Sequence, residues 1–386
     1  MTSFLGPMLG LFQYPQDMRS SDRGSGNRVP DQGRPTRRKL VGAWGLAALC
    51  AAAVVFGAKP VGAEPSERTF VRVHLDFCGT SPGWSGLEAF RGVDDRERAL
   101  HEALDRCLDT EFWRGVQGRV WRLAHPKVQP QDTFEDSFRD YGLFVYAHTD
   151  DRDVRDVLLA DYLVDVAVDE TGRSRYTVAE ESDNLLGWPL PPERRAGMLT
   201  LVWVLQNQIM FSAMPRTMAA HAYREYLGLD ISQGEGLQPV AGEPADYDGA
   251  GVAKDACAAC HSTLDPLSYP FSRYHGLTAV SGSYDPDRLE IFVDDHGERI
   301  LDMPEAGVLF GQPVQDLRQW ARVAANSEAF AAKVVEDYWV LLFERPPRGD
   351  EVPVAAQLAE DLRTRYDHRV ERMLHGLVDT EAYRGL

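Results

Sequence analysis

Apolar residues recur along most of this chain at intervals of three and four, the spacing that gives an α-helix one buried face. Leu100, Leu104 and the pair Cys107-Leu108 follow Asp94-Asp95 and Glu97, which predicts a helix running from there to Phe112. Val120, Leu123 and Ala124 mark a shorter helix that Pro126 should end. Val154, Val157, Leu158 and Tyr162 predict another amphipathic helix. A long helical stretch is expected from Glu193 to Leu227, interrupted at Pro215 and closed by Gly228 as its C′ residue. Two further stretches close the chain: Val314 to Phe343, with a break near Asn326-Ser327, and Glu351 to Val378. Arg345-Pro346-Pro347-Arg348-Gly349 separates them. One segment differs: Val71, Val73, Leu75 and Phe77 alternate with Arg72, His74 and Asp76, the period of a short half-buried strand. Residues 169–192 are polar and proline-rich and read as a loop. The expected fold class is mainly α.

Breaks in this pattern suggest the domain organisation. Gln233 to Gly251 is rich in Gly, Pro and acidic residues and has no apolar period, so residues 233–250 read as a linker. It divides a mostly helical N-terminal domain, 64–232, from a domain over 251–313 and a helical C-terminal module over 314–386. Near the start, Arg37-Arg38-Lys39 precedes the apolar run Leu40 to Ala58 and then Lys59-Pro60-Val61-Gly62-Ala63. That order is a signal peptide over residues 1–63, with cleavage expected after Ala63. Left uncleaved, the run is long enough to anchor the chain in a membrane. The most apolar later stretch, Met198 to Met214, carries Gln206-Asn207-Gln208 at its centre, so no membrane span is expected in the mature chain. The expected location is the periplasm or cell envelope.

Charge sharpens the picture. The chain carries 41 basic and 59 acidic residues, net −18. Beyond Ala63, 33 basic and 56 acidic residues remain, net −23. Such a surface repels phosphate backbones, which argues against nucleic acid and suits a basic redox partner. Of the five cysteines, Cys78 and Cys107 either pair as a disulfide or serve as two separate buried side chains.

Cys257-Ala258-Ala259-Cys260-His261 carries the chemistry. Residues at i, i+3 and i+4 share one face of a helical turn. Two thiols so placed can reach the two vinyl groups of one porphyrin, and the imidazole can bind its iron as proximal ligand. Other uses of paired thiols are a redox dithiol, half of a zinc site or a plain disulfide. A zinc site needs a second ligand pair, and no cysteine lies nearby. A dithiol centre normally follows a strand, whereas Asp246 to Gly251 reads as loop. The expected cofactor is one covalently attached haem c on Cys257, Cys260 and His261.

The distal side of the iron is less constrained. Met303, in a loop after the motif, is the candidate sixth ligand. Met210, Met214 and Met218 recur at intervals of four and mark a core face, while His275 and His296 are alternative loop ligands. Arg273, Tyr269 and Tyr274 are candidates to hydrogen-bond the propionates, with ordinary packing the alternative for both tyrosines. Asp265-Pro266 is expected to shape the turn out of the motif's helix.

The segment Cys257 to Leu267, with Phe271, resembles the haem-bearing domain of large exported cytochrome c families of planctomycete and myxobacterial type. Ser268 stands where their pattern has glycine. Leu75 to Pro82 resembles a Leu-Asp-x-x-Gly-x-x-Pro segment in domains that accompany these cytochromes. Asp156 to Tyr162 and Arg195 to Thr200 resemble the helical segments before the haem domain, and Asp316-Leu317-Arg318 and Leu341 to Pro347 resemble the C-terminal helical module. The resemblance implies a cytochrome c-like haem domain between helical modules, in a protein of the cell envelope, and little about substrate. The expected function is a monohaem c-type cytochrome that transfers single electrons. The alternatives are a haem enzyme, oxidase- or peroxidase-like, with an open distal site, and an envelope scaffold that carries a haem domain.

Overall fold

The computed structural model describes residues 64–128, 138–179, 190–201, 203–205, 212–275, 283–294, 297–300 and 302–385. The expected signal peptide, Met210 and His296 lie outside these residues. The fold is mainly α, 56% helical and 8% strand.

The first element corrects the sequence reading. Ser66 caps α1 (Glu67–Val73), its hydroxyl accepting from Thr69 N, and the chain runs on into a π-helical turn, His74–Cys78. Phe70, Val73 and Phe77 are buried, whereas Leu75 is 49% exposed. The same residues carry both a period of two and a helical stripe, and the N-cap tips the balance to helix. Gly79, at φ 71, closes the turn in the left-handed region. After α2 (Gly83–Arg91), Asp95 caps α3 (Arg96–Leu108), which buries Leu100, Leu104, Cys107 and Leu108 as expected. Cys78 and Cys107 are joined in a disulfide across a sequence separation of 29.

Thr110 ends that run and caps α4 (Glu111–Arg114). Helix α5 (Arg119–Val128) continues two residues past Pro126, against expectation. The bond Pro126 forfeits falls in the last turn, and the buried Lys127 and Val128 hold the end by packing. Helix α6 (Phe138–His148) follows, and then α7 (Asp156–Leu159), a single turn shorter than the pattern suggested. Tyr162 lies beyond it and donates its hydroxyl to Asp156 (2.7 Å). An antiparallel hairpin comes next, β1 (Val164–Val168) and β2 (Ser174–Val178), pairing Val166 with Tyr176. Its second strand falls in the segment read as loop. The turn is built by the Asp169 carboxylate, which accepts from the backbone N–H groups of Thr171 and Arg173.

The stretch from Glu193 to Leu227 is not one helix. Short 3-10 turns form at Pro192–Arg194 and Gly197–Thr200, residues 203–205 are helical, and the chain between 212 and 215 is irregular before α8 (Arg216–Leu227). Gly197 sits at φ 50 against α7, where an added Cβ would lie 2.3 Å from the Val157 carbonyl oxygen. That approach forces the chain to turn. Helix α8 ends at Gly228, φ 66, as expected.

Helix α9 (Asp255–Ser268) carries the Cys-Ala-Ala-Cys-His motif, and a small hairpin follows, β3 (Gly307–Leu309) with β4 (Gln312–Val314). Asn326-Ser327 divides α10 (Leu317–Ala325) from α11 (Glu328–Phe343) where the sequence suggested. The stretch from Glu351 to Val378 is two helices instead of one, α12 (Glu351–Thr364) and α13 (Val370–Val378), and α14 (Glu381–Arg384) follows it. Asp367 and His368, at φ 50 and 59, make the break between α12 and α13.

The helices after residue 313 pack onto those before residue 233. His148 Nδ1 meets Tyr338 Oη at 2.9 Å, and the Tyr383 hydroxyl donates to Asp76 at 2.9 Å. Lys127, 5% exposed, donates to Asp337 (2.8 Å) and to the Glu225 carbonyl (2.7 Å), tying α5, α8 and α11 together. Residues 233–251 have no regular structure beyond the end of a 3-10 turn, as expected, yet they are bonded along α9. Gln238 N–H donates to the Thr263 hydroxyl and Val240 N–H to the Ser262 carbonyl, both at 3.0 Å.

Between α3 and α13, His101 and His375 meet Nδ1 to Nδ1 at 2.6 Å. His101 Nε2 faces Asp379 at 3.0 Å, with Glu97 and Arg384 close by, and His375 Nε2 faces Asp105 at 2.8 Å. The hydrogen bond to Asp379 raises the His101 pKa against the opposing effect of burial, with the Asp379 and Glu97 charges adding to it.

Two outcomes follow from this packing. Replacing Cys78 and Cys107 together by Ala should lower unfolding stability by about 3–4 kcal/mol, the value expected for a loop of this length, with the secondary structure unchanged. Chemical denaturation of the oxidised protein and the variant measures it, and equal midpoints would refute it. His101, with its folded pKa above the unfolded value of about 6.5, contributes fully below that pH. Its contribution is lost as pH rises through the folded value. Stability measured from pH 6 upward should therefore fall, and His101→Gln should flatten that slope.

Candidate functional site

Helix α9 starts after Lys254, whose extended backbone precedes Asp255 in the first turn, an acidic residue where the helix dipole favours one. Cys257, Cys260, His261 and Leu264 recur at i, i+3, i+4 and i+7, and all are exposed or half-buried. Ser262, Thr263, Asp265, Pro266 and Leu267 are buried. The helix thus turns its motif face outward and its polar-lined back inward. Both thiols are free, so the plain-disulfide reading of this pair is not realised.

Pro266 lies inside the helix, which runs on to Ser268, so Asp265-Pro266 does not form the expected exit turn. Without an N–H, Pro266 cannot bond the Ser262 carbonyl one turn back. The Val240 N–H does so instead, from the segment alongside. Buried backbone acceptors need partners, and this substitution supplies one.

His261 Nδ1 lies 2.8 Å from Asp265 Oδ1. The Asp265 side chain is fully buried, and it receives Arg216 Nε at 2.7 Å and Arg216 Nη2 at 2.9 Å. Arg216 also donates Nη1 to Asp248 Oδ2 at 2.5 Å and Nη2 to Asp248 Oδ1 at 3.0 Å. Burial alone would lower the Arg216 pKa, but the hydrogen bonds and charges of Asp265 and Asp248 outweigh it and raise the value. A carboxylate held by a guanidinium only accepts hydrogen bonds, so His261 Nδ1 carries the proton and donates. Its Nε2 makes no hydrogen bond among the described residues. Fixing the tautomer through the far nitrogen is how proteins prepare a histidine to bind a metal.

This donor set fits haem c. Two free thiols stand three residues apart on one face, and an imidazole with an open Nε2 stands beside them. The structure brings Cys257, Cys260 and His261 together and adds Asp265, Arg216 and Asp248 behind them. Asp265 was detectable in the sequence as an acid four residues from His261 on one helix. Nothing local marks Arg216, which is 49 positions away from Asp265.

The remaining candidates are engaged with the protein itself. Tyr269 donates its hydroxyl to Glu243 (2.7 Å), and burial together with that carboxylate raises its pKa. Tyr274 is fully buried and donates to the Arg194 carbonyl (2.8 Å). Arg273 gives Nη2 to the Met303 carbonyl (2.9 Å). Met303 is itself buried in a small cluster with Met214, Tyr269, Leu289 and Ile300, while Cys260 and Leu264 pack against the main core. Met218 belongs to that main core, and His275 faces Asp285 at 3.2 Å. Among the described residues, Glu97, His101 and Asp379 are close enough together to hold a metal ion, but Arg384 already bonds both carboxylates.

No protein-family model, no curated protein and no solved structure matches this chain.

Proposed function

We propose that this chain is an exported monohaem c-type cytochrome that passes single electrons in the periplasm or cell envelope. One observation carries the reading: two free thiols and an imidazole held through Nδ1 by Asp265 share the outward face of one helical turn. Cys257 and Cys260 would hold the porphyrin through thioether bonds, and His261 would bind the iron through Nε2. Asp265 keeps the His261 ring oriented and its Nδ1 protonated. When bound, haem c supplies a one-electron couple.

Other features agree with this reading. The Cys78–Cys107 disulfide suits an oxidising compartment, as the expected signal peptide does. No helix among the described residues is long and apolar enough to cross a membrane. The acidic excess of the chain suits a basic redox partner. Met303 is the proposed sixth ligand, a thioether in the segment that Arg273 ties to α9's exit. A second reading, a haem enzyme with an open distal position, is favoured by the burial of Met303 among Met214, Tyr269 and Leu289.

Replacing Cys257 and Cys260 by Ala, in protein matured in a periplasm, should abolish the haem-stained band on a denaturing gel. A stained band that survives refutes covalent attachment at these residues. In the wild type, a weak near-infrared sulfur-to-iron band that disappears in Met303→Ala identifies the sixth ligand. Rapid binding of CO to the ferrous protein, without denaturant, would instead establish the open-site enzyme.

A further inference from the structure

We propose that Asp248, Arg216 and Asp265 form a charge chain that sets the reduction potential of the iron through His261; this rests on the haem reading above. The geometry is continuous: Asp248 to Arg216, Arg216 to Asp265 by two hydrogen bonds, and Asp265 to His261 Nδ1. Asp265 is fully buried, and Arg216 and Asp248 have side chains 18% and 19% exposed, so water screens these charges weakly.

A carboxylate that accepts the Nδ1 proton makes the imidazole a stronger donor and favours the more highly charged ferric iron. Arg216 opposes that push by drawing on the same carboxylate. Asp248 in turn draws Arg216 away from Asp265 and so restores part of it. The three residues therefore act as an ordered pair of corrections on one ligand. Asp248 belongs to the irregular segment 233–251 and Arg216 to the start of α8, so two elements outside the motif reach the iron through one atom of His261. All three are positioning residues, since none of them touches the cofactor directly.

The test uses haem-loaded protein matured in a periplasm. The pyridine haemochrome spectrum of each variant first establishes covalent haem; its absence in the wild type would fail the haem reading and not the charge chain. Circular dichroism then confirms that each variant is folded. Potentials are measured by spectroelectrochemical titration. Asp265→Asn should raise the potential by a tenfold or greater change in the reduced-to-oxidised ratio at fixed poise, which is about 59 mV for one electron. Asp265→Glu should return most of that shift. Asp248→Asn should raise the potential by less, and should add nothing in the Asp265→Asn background. A purely structural role predicts the opposite sign, because a loosened site admits water and favours the ferric charge. A lowered or unchanged potential in Asp265→Asn overturns the proposal, as does full additivity of the two substitutions.

Discussion

A fully buried carboxylate needs a counter-charge and a full set of hydrogen bonds, and the arrangement around Asp265 follows from that need. Arg216 supplies the charge and two bonds, and His261 supplies a third. Burying Asp265 therefore places the N-terminus of α8 against α9 and draws Asp248 in from the intervening segment. It also decides which nitrogen of His261 is protonated. One desolvated anion thus organises two helices, one irregular segment and the orientation of a half-exposed histidine.

The rest of the chain builds a frame in which that helix can be held. The helices after residue 313 close on those before residue 233 through polar contacts made deep in the core. Lys127 with Asp337 and His148 with Tyr338 are two of them. Burial pushes the His148 pKa down to about 3, so that ring stays neutral and its contact with Tyr338 is insensitive to ordinary pH. His101 does the reverse, since its raised pKa makes its pairing with Asp379 depend on a proton. Two histidine contacts between the same halves of the chain therefore respond differently to acidity, and solvent access separates them.

Much of this was legible in the sequence, for identifiable reasons. Helix α3 has an acidic cap and one unbroken apolar stripe, and nothing competes with either signal. The division at Asn326-Ser327 is equally local. The segment 71–77 misleads because Phe70, Val73 and Phe77 make a helical stripe out of residues that also alternate. The break after Thr364 depends on Asp367 and His368 adopting left-handed backbone, which neither residue announces. The motif face of α9 is readable from spacing alone. Its back is not, because Arg216 and Asp248 meet Asp265 only once the chain has folded, and a one-dimensional pattern carries no trace of that meeting.

Pro266 has a consequence of its own for how this chain tolerates being cut. The Ser262 carbonyl, one residue beyond His261, is completed by Val240 from a stretch whose composition looks like a tether. A protease that nicked the Gly-rich run near Gly249 would not free an autonomous module built on α9. It would leave α9 dependent on a strap it no longer shares a chain with, and loss of that strap would leave the Ser262 carbonyl without its Val240 partner. The segment that looks most dispensable in the sequence is therefore one that completes this helix.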